Sequence, residues 1–425
     1  MACAPRVFVV VFALAALASR AGAQAPPLPQ AKPDQQAEKG QAAEPEAQMD
    51  VFDLLRELRH KPQPDEAAWD YTKKMKAFAP IIGYKPSSGV MVGAAGNVAF
   101  FSGDPKTTHI SSAVISLTFS AKKQTALTAR FAMFTRDDRW RVDGDNRAQW
   151  TSQDAYGLGT STLPADKINA KYDFFRVYET AYYRLRPRLF AGIGLHFNTH
   201  TNIRPGTDTT DEAWQQSPYM EYTVAHGFPT DRQTSAGTSL NLMVDGRDNP
   251  INADRGTYIN TSFRTFYKDF LGGDSTWQQL YIDARKYARL VPDGRKKLAF
   301  WVFGDFVTGG YAPYLDLPAT AMDTYGRSGR GYGEGRFRGE RMLYGEVEYR
   351  ASLMRSGLVG MVVFFNVTTI TNLETGERLF HSYAPGGGAG LRLSINKRSK
   401  TNLCFDVGFG KEGSRGAYLA IQEAF

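Results

Sequence analysis

The feature that most constrains this chain is a period-two alternation of side chains in segments of about ten residues or more. In Thr125–Phe134, Leu280–Arg289 and Leu343–Leu353, apolar residues alternate with polar or small ones. Successive side chains of a strand point to opposite faces, so each segment has one apolar face. Strands of soluble sandwiches alternate too but are usually shorter, whereas long segments that recur to the end of the sequence are typical of tilted membrane strands.

Counting these segments predicts about 16 strands. They are Phe78–Tyr84, Val90–Phe101, Ile110–Phe119, Thr125–Phe134, Trp140–Trp150, Phe174–Leu185, Arg188–Phe197, Ser235–Val244, Tyr258–Phe266, Trp277–Arg289, Lys297–Val307, Leu343–Leu353, Leu358–Asn366, Gly388–Ile395, Thr401–Phe409 and Tyr418–Phe425. An even number of such strands predicts an all-β fold, a 16-stranded antiparallel transmembrane β-barrel over residues 77–425. A short helical and disordered extension precedes it.

The connections alternate in length, as they do in outer-membrane barrels. If both chain ends are periplasmic, the long connections are all extracellular: Gly157–Asp173, Asn198–Thr234, Gly309–Met342 and Val367–Gly387. The tight ones are then periplasmic: Arg186-Pro187, Val291–Arg295, Arg355-Ser356 and Asn396–Lys400. The turn Asp245–Gly256 is long for its side.

The N-terminal residues are interpreted as export and tether segments. Residues 1–23 have a basic Arg6, an apolar run Val7–Ala18 and small residues at Ala21–Ala23, which predicts a cleaved signal peptide. Residues 24–49 are rich in Gln, Ala, Pro and Glu, which predicts a disordered linker. Export and membrane strands together predict the bacterial outer membrane as the location, with its lipid as a partner.

Residues 50–76 are predicted to be a short helical periplasmic segment. In Asp50–His60, Asp50 is an expected N-cap, and the apolar residues recur at helical spacing. A second short helix is expected over Ala67–Phe78. The segment is interpreted either as a linker or as a plug at the barrel mouth.

Charge and aromatic residues fit the same interpretation. Lys and Arg number 51 against 43 Asp and Glu, and the net charge of +8 is spread along the chain, so we expect no nucleic-acid partner. Four tryptophans are interpreted as an interfacial girdle: Trp140, Trp150, Trp277 and Trp301.

The remaining reactive residues do not form a recognisable site. Cys404 is alone once Cys3 leaves with the signal segment, so no intramolecular disulfide is expected. His196 and His200 are four apart on a predicted strand, a spacing that does not bring them to one metal ion. The sequence also has no Gly-x-Ser-x-Gly motif, the mark of one class of serine hydrolase. Taking these observations together, we expect no metal, no cofactor and no enzyme activity.

One loop carries a specific motif. Gly329-Arg330-Gly331-Tyr332 and the residues up to Gly339, followed by Glu346–Arg350, resemble the signature of the BamA/TamA (bacterial surface antigen) family. Tyr156–Gly159 and Arg247–Pro250 also resemble that family. The resemblance implies a 16-stranded outer-membrane barrel in a short form, without the periplasmic POTRA modules. It also implies that the loop folds back into the lumen with Arg330, Gly331 and Tyr332 at its tip.

The charge of Arg330 predicts its partners. A buried guanidinium must be paired, and Glu346 and Glu348 are two residues apart, so both point to the lumenal face of the next strand. Either could accept a bidentate pair, and Asp406 is a further candidate. In the family, a carboxylate on the thirteenth strand often helps to hold the loop arginine, a set of contacts that we call the lock. This chain has the neutral Asn366 at the matching position, and the sequence leaves open whether the lock is weaker for it.

The last predicted strand places Leu419, Ile421 and Phe425 on one face, and its terminal aromatic residue resembles a barrel-assembly signal. It should close the barrel against the weak first strand, where Pro80 removes a hydrogen-bond donor and Pro86 ends the segment. The resemblance implies a lateral gate at this seam. A closure without a gating role explains the same residues equally well.

Three functions remain open. The resemblance implies outer-membrane protein assembly, insertion or translocation, with unfolded outer-membrane proteins and the barrel assembly machinery as partners. The alternative is a barrel for lipid or small-solute transport that has lost the assembly function, and an outer-membrane enzyme ranks last. The lack of periplasmic modules weighs against the first function, and the loop that fills the lumen weighs against an open pore.

Overall fold

The computed structural model describes residues 48–62, 70–85 and 89–425. The predicted signal peptide, 1–23, and all but the last two residues of the predicted linker, 24–49, lie outside the described residues.

Sixteen antiparallel strands form a closed barrel in which each strand pairs with its neighbours in the sequence, and β1 pairs with β16. The first eight are β1 Met75–Lys85, β2 Gly89–Phe100, β3 Ser111–Ser120, β4 Thr125–Phe134, β5 Trp140–Ala155, β6 Ile168–Arg186, β7 Leu189–Pro205 and β8 Gln233–Asp245. The others are β9 Gly256–Phe266, β10 Trp277–Arg289, β11 Lys296–Gly309, β12 Arg341–Ser352, β13 Val359–Ile370, β14 Ala384–Asn396, β15 Thr401–Gly410 and β16 Arg415–Ile421. The predicted fold class and strand number are confirmed.

The alternation in the sequence separates the two faces of the wall. On β13, Phe365 is 57% exposed on the outer face, whereas its neighbour Phe364 is 3% exposed in the lumen. The outer face is apolar along most strands, while buried Asp, Glu and Arg side chains line the lumen. This pattern is the reverse of a soluble protein and matches a barrel surrounded by lipid.

The two ends of the barrel differ in their connections. Those after β5, β7, β11 and β13 are long, and we call this side the loop end. The β7–β8 loop contains two short helices, α2 Asp211–Gln215 and α3 Pro218–Ala225. The opposite side, the turn end, has mostly tight turns, as the sequence predicted.

The long β8–β9 turn, residues 246–255, crosses the opening at the turn end. Ile251 packs with Met75 and Ile110 on one side of the barrel. Asp254 forms ion pairs with Lys297 and Lys400 on the other side, at 2.9 and 2.6 Å. The unusual length of this turn therefore serves to cover the mouth.

Helix α1, Val51–Leu58, is capped by Asp50 as predicted. Its polar side faces the barrel, because the backbone N–H of Lys397 donates to Asp50 at 3.1 Å and the Lys397 ammonium lies 3.1 Å from Asp53. Phe52, Leu55 and Leu58 are exposed. The helix thus rests on turns at the rim and does not plug the lumen. Within the described ranges, no helix is long and apolar enough to cross a membrane.

The predicted second helix over 67–78 is wrong in its C-terminal part. Residues 63–69 lie outside the described residues, and β1 already begins at Met75. Met75, Ala77 and Ala79 are buried while Lys76 and Phe78 are exposed, so this segment has period two. The barrel therefore begins two residues before the predicted boundary at 77.

Two of the four predicted girdle tryptophans are also misplaced. Trp140 and Trp150 are 45% and 54% exposed on the outer face, as a girdle requires. Trp277 and Trp301 are 2% and 1% exposed inside the barrel. Trp277 stacks on Phe266 with ring centres 4.2 Å apart.

The last strand is shorter than the predicted Tyr418–Phe425. It ends at Ile421, where Gln422 has a φ of +75° and turns the chain inward. Phe425 is consequently buried in the lumen, 5.2 Å from the ring of Trp301, and does not share an outer face with Leu419.

Candidate functional site

The loop between β11 and β12, residues 310–340, folds into the lumen, and we call it the lumenal loop. Gly329 and Gly331 have φ values of +77° and +109°, which side chains rarely tolerate, and they bracket Arg330. Arg330 is among the largest fully buried side chains of the described residues. The Arg-Gly-aromatic tip therefore lies in the lumen, as the resemblance implied.

Arg330 binds three carboxylates. Its guanidinium donates to both Glu346 and Glu348, and Nη1 donates to Asp406 at 2.8 Å. The ring of Phe364 lies 3.7 Å from the guanidinium carbon. The predicted partners on β12 thus act together, and Asp406 on β15 is a third.

These contacts belong to a larger ion network. Arg350 donates to Glu348 at 2.5 Å, and Arg392 donates to Asp406 at 2.5 Å and to Glu423 at 2.7 Å. Each carboxylate that binds the loop, except Glu346, is therefore shared with a guanidinium of the wall. Removing one partner of such a buried network leaves an uncompensated charge, at a cost of about 3–5 kcal/mol.

Gly331 and Tyr332 fix the tip against the wall. A Cβ atom on Gly331 would lie 2.6 Å from the carbonyl oxygen of Phe409, so only glycine allows this approach. The Gly331 N–H donates to the Tyr418 hydroxyl at 3.0 Å. The Tyr332 hydroxyl donates to the carbonyl of Pro385 and accepts from the N–H of Lys411 at 2.9 Å.

Asn366 takes part in the lock by a route the sequence did not indicate. Its side-chain amide donates to the backbone carbonyl of Arg330 at 3.0 Å, while Asp406 supplies the third carboxylate. The neutral residue on β13 therefore holds the loop backbone, and the guanidinium keeps a full set of acceptors. Position 366 thus contributes to the lock without a carboxylate.

Arg336 and Arg338 hold the base of the loop, and the sequence analysis assigned them no role. Arg336 donates to the carbonyl of Thr162 at 2.8 Å and to Glu412 at 2.9 Å. Arg338 donates to Gln153 at 2.9 Å. The N–H of Gly159 donates to the Arg338 carbonyl at 2.7 Å, so two segments that resemble the family pair with each other. The sequence signal for this role was the spacing of Arg336 and Arg338, two residues apart and shortly after the loop tip.

The seam between β1 and β16 has a single residue pair, Tyr84 with Ala417, among the described residues. The other neighbouring strands share between seven pairs, as for β15–β16, and sixteen, as for β5–β6. Pro80 lies in the middle of β1 and has no N–H to donate. The predicted short ladder is confirmed.

A cavity of about 300 Å³ lies inside the barrel beside this seam. It is bounded by β1–β5, by the lumenal loop and by β16. Arg130 and Arg147 line it, and its wall also includes small or hydroxylated side chains, among them Ala95, Ser116, Thr118, Ala126 and Thr128. The lumenal loop therefore leaves free space on the side of the seam.

No family model matches the chain, and no curated protein matches it. Solved structures do match. BamA from Haemophilus ducreyi lacking POTRA domains 1-3 is 14% identical, with a TM-score of 0.51 over 82% of this chain and 69% of that one. CdiB from Acinetobacter baumannii is 10% identical, with a TM-score of 0.50 over 82% of this chain and 59% of that one.

CdiB from Escherichia coli is 9% identical, with a TM-score of 0.50 over 85% of this chain and 63% of that one. The chain thus spans less than two thirds of the length of either CdiB structure. Identities this low establish the fold alone. The chain is therefore a 16-stranded barrel with the architecture of BamA and CdiB, with a loop locked into its lumen.

Proposed function

We propose that this chain is an outer-membrane barrel that assembles, inserts or translocates other outer-membrane proteins at the β1–β16 seam. Its loop end faces the outside, and its short turns and α1 face the periplasm. Its partners are membrane lipid, unfolded barrel proteins and the barrel assembly machinery. The proposal assigns the chain no chemical reaction.

The observation that carries the proposal is the β1–β16 seam, which has one residue pair among the described residues, in a barrel whose other seams have at least seven. Unpaired N–H and C=O groups at a strand edge are a template for another strand. A client strand could pair with β1 there without breaking a long ladder.

The lock adds support from the neighbouring loop. Arg330 is bound by three buried carboxylates, two on β12 and one on β15. The cavity of about 300 Å³ lies on the β1–β4 side. The loop therefore fills part of the lumen and leaves room at the seam. A wide, permanent pore does not fit this arrangement.

A depletion experiment separates assembly from transport. After depletion in the source bacterium, the outer membrane is analysed by quantitative proteomics and by lipid analysis. We expect selective loss of other barrel proteins with lipid composition unchanged. An unchanged proteome with altered lipid would reject the proposal in favour of the lipid-transport alternative.

A disulfide across the seam tests the proposed route directly. Tyr84→Cys with Ala417→Cys joins the single residue pair of the seam. The matched control joins Val347→Cys with Phe365→Cys, a pair within the long β12–β13 ladder. We expect the seam disulfide to reproduce depletion, a reductant to reverse it, and the control to have no effect. Equal function of both oxidised variants would contradict the proposal.

A further inference from the structure

A second lumenal cavity, of about 160 Å³, lies between the β4–β5 wall and the β9–β10 wall. Its charged lining contains five guanidiniums and three carboxylates. The guanidiniums belong to Arg130, Arg141, Arg247, Arg264 and Arg285, and the carboxylates to Asp143, Asp145 and Asp283. Guanidiniums therefore outnumber carboxylates in the lining of this cavity.

Each carboxylate at the cavity is bound by its own arginine. Asp143 accepts from Arg141 at 2.7 Å, and Asp283 accepts two hydrogen bonds from Arg285, at 2.7 and 2.5 Å. Two further pairs join a lining residue to a partner outside the lining. Arg147 donates twice to Asp145, at 2.8 and 2.7 Å, and Arg247 donates twice to Asp245, at 2.9 and 2.7 Å.

Two arginines remain, Arg130 and Arg264. Among the described residues, the nearest carboxylate oxygen to Arg130 is on Asp145 at 3.9 Å, and the buried Nε of Arg130 has no hydrogen-bond partner there. Arg264 donates to the neutral groups of Ser262 and Gln279, at 3.3 and 3.1 Å, and has no carboxylate within 4.0 Å in the described part of the chain. Among the residues that line the cavity, the positive charges therefore outnumber the negative ones by two. Asp305 lies outside the lining and is linked to Arg264 only through the amide of Gln279, which donates to Asp305 at 2.6 Å.

We propose that this cavity binds a small oxyanion, a free solute with a phosphate or carboxylate group, between Arg130 and Arg264. A guanidinium pairs with such a group through parallel N–H donors, and the low dielectric of a lumen strengthens the attraction. A volume of about 160 Å³ holds a small oxyanion with a few waters, given about 30 Å³ per water.

The surrounding residues fit this ligand. Arg264 lies over the rings of Tyr178 and Tyr281, at 5.4 and 4.4 Å, which fixes the direction of its guanidinium. Thr180, Asn241 and Ser262 add neutral polar groups to the lining. The charged strand residues of the lining face the lumen, whereas lipid headgroups lie outside the wall, so the site suits a free solute.

The test is a titration of the purified full-length protein with inorganic phosphate at constant ionic strength, followed by calorimetry and thermal unfolding. We expect saturable binding and a rise in Tm that chloride does not cause. Arg130→Gln and Arg264→Gln should each weaken binding about tenfold or more, the value of one charge-assisted hydrogen-bonded contact. Arg186→Gln, at an exposed position, is the matched control.

Three outcomes would overturn the proposal. They are a parent protein without saturable phosphate binding, variants that bind as the parent does, and a response to short-chain phosphatidylglycerol that equals the response to phosphate. Folding of each variant is checked by its heat-modifiable gel migration. The reversal potential in a KCl gradient gives a second readout, because both substitutions should reduce a preference for anions. This inference does not depend on the proposed assembly function.

Discussion

The wall made of β12–β15 and the wall made of β1–β4 present different side chains to the lumen. The first carries Glu346, Glu348, Arg392 and Asp406, which bind the lumenal loop or one another. The second carries alanine, serine and threonine side chains together with Arg130, and it borders a cavity. The ion pairs of Arg330 therefore all lie on one side of the lumen, while the cavity beside the weak seam lies on the other side. The two sides meet at β16, where the Tyr418 hydroxyl accepts a hydrogen bond from the Gly331 N–H of the loop tip.

The largest effect should follow from Arg330→Ala. It leaves three buried carboxylates without their shared guanidinium, so we expect a loss of about 3–5 kcal/mol and release of the loop tip. Single-channel recording should show a higher conductance, and trypsin should cleave at Arg327. Arg378→Ala, on the exposed surface, is the control. Unchanged conductance and proteolysis would show that the loop is held elsewhere.

Hydrogen exchange compares the seam with a long ladder. Free energies of local opening range from about 0 to the global value. The single pair of β1 and β16 should therefore exchange about a hundredfold faster than the sixteen pairs of β5 and β6. Mass spectrometry of the protein in nanodiscs measures both regions at once. Equal protection of the two regions would mean that the seam is closed by contacts other than strand pairing.

A substitution at the loop tip should have an intermediate effect. Gly331→Ala forces a Cβ to 2.6 Å from the Phe409 carbonyl at a φ of +109°, for which we expect a loss of about 1–3 kcal/mol. Gly333→Ala is a matched control two residues away, since its Cβ would have no heavy atom within 4 Å. Thermal unfolding of both variants measures the difference, and equal Tm values would argue against tight docking of the tip.

The smallest effect concerns the turn that covers the mouth. Burial alone would raise the pKa of the Asp254 carboxyl, but Lys297 and Lys400 hold it well below its usual value. A lowered pKa means that this carboxylate stabilises the fold above pH 4, roughly its unfolded value, and that the contribution is lost as pH falls below it. Asp254→Asn should cost on the order of 1 kcal/mol at pH 7.

The pH dependence of thermal unfolding from pH 7 to pH 3 tests this assignment. The difference between the parent and Asp254→Asn should shrink as the pH falls. Asp293→Asn, in the neighbouring turn, is the control because it removes a fully exposed carboxylate. We expect it to change Tm less than Asp254→Asn does at pH 7. A constant difference across the range would show that Asp254 acts through packing.

The sequence predicted what depends on alternation alone. All sixteen strands and the common lumenal face of Glu346 and Glu348 follow from period two, because one face meets lipid and the other meets charge. The same argument failed at Trp301, which lies in the run Ala299–Phe303, where both faces are apolar and alternation has no contrast. Alternation also predicted wrongly that Phe425 belongs to the last strand. The chain leaves the strand at Gln422, whose φ is +75°, and a glutamine gives no indication of such a turn in the sequence.

The lock was predictable only in part. Charge pairing indicated Glu346, Glu348 and Asp406 as partners of Arg330, since a buried guanidinium needs carboxylates. The bond from Asn366 to the Arg330 carbonyl depends on the path of the loop backbone, which the sequence does not specify. Arg336 and Arg338 likewise bind carbonyls and an amide whose positions depend on the folded loop.

Several ion pairs of the lumen join residues that are distant in the chain. Arg330 and Asp406 are 76 positions apart, and Arg141 and Asp245 are 104 positions apart. Such contacts form only after a large loop has closed, which makes folding slow. Until then each of these charges must remain hydrated. We therefore expect the interior of the growing barrel to stay wet until most of the wall is complete, so that expulsion of water is a late step of assembly.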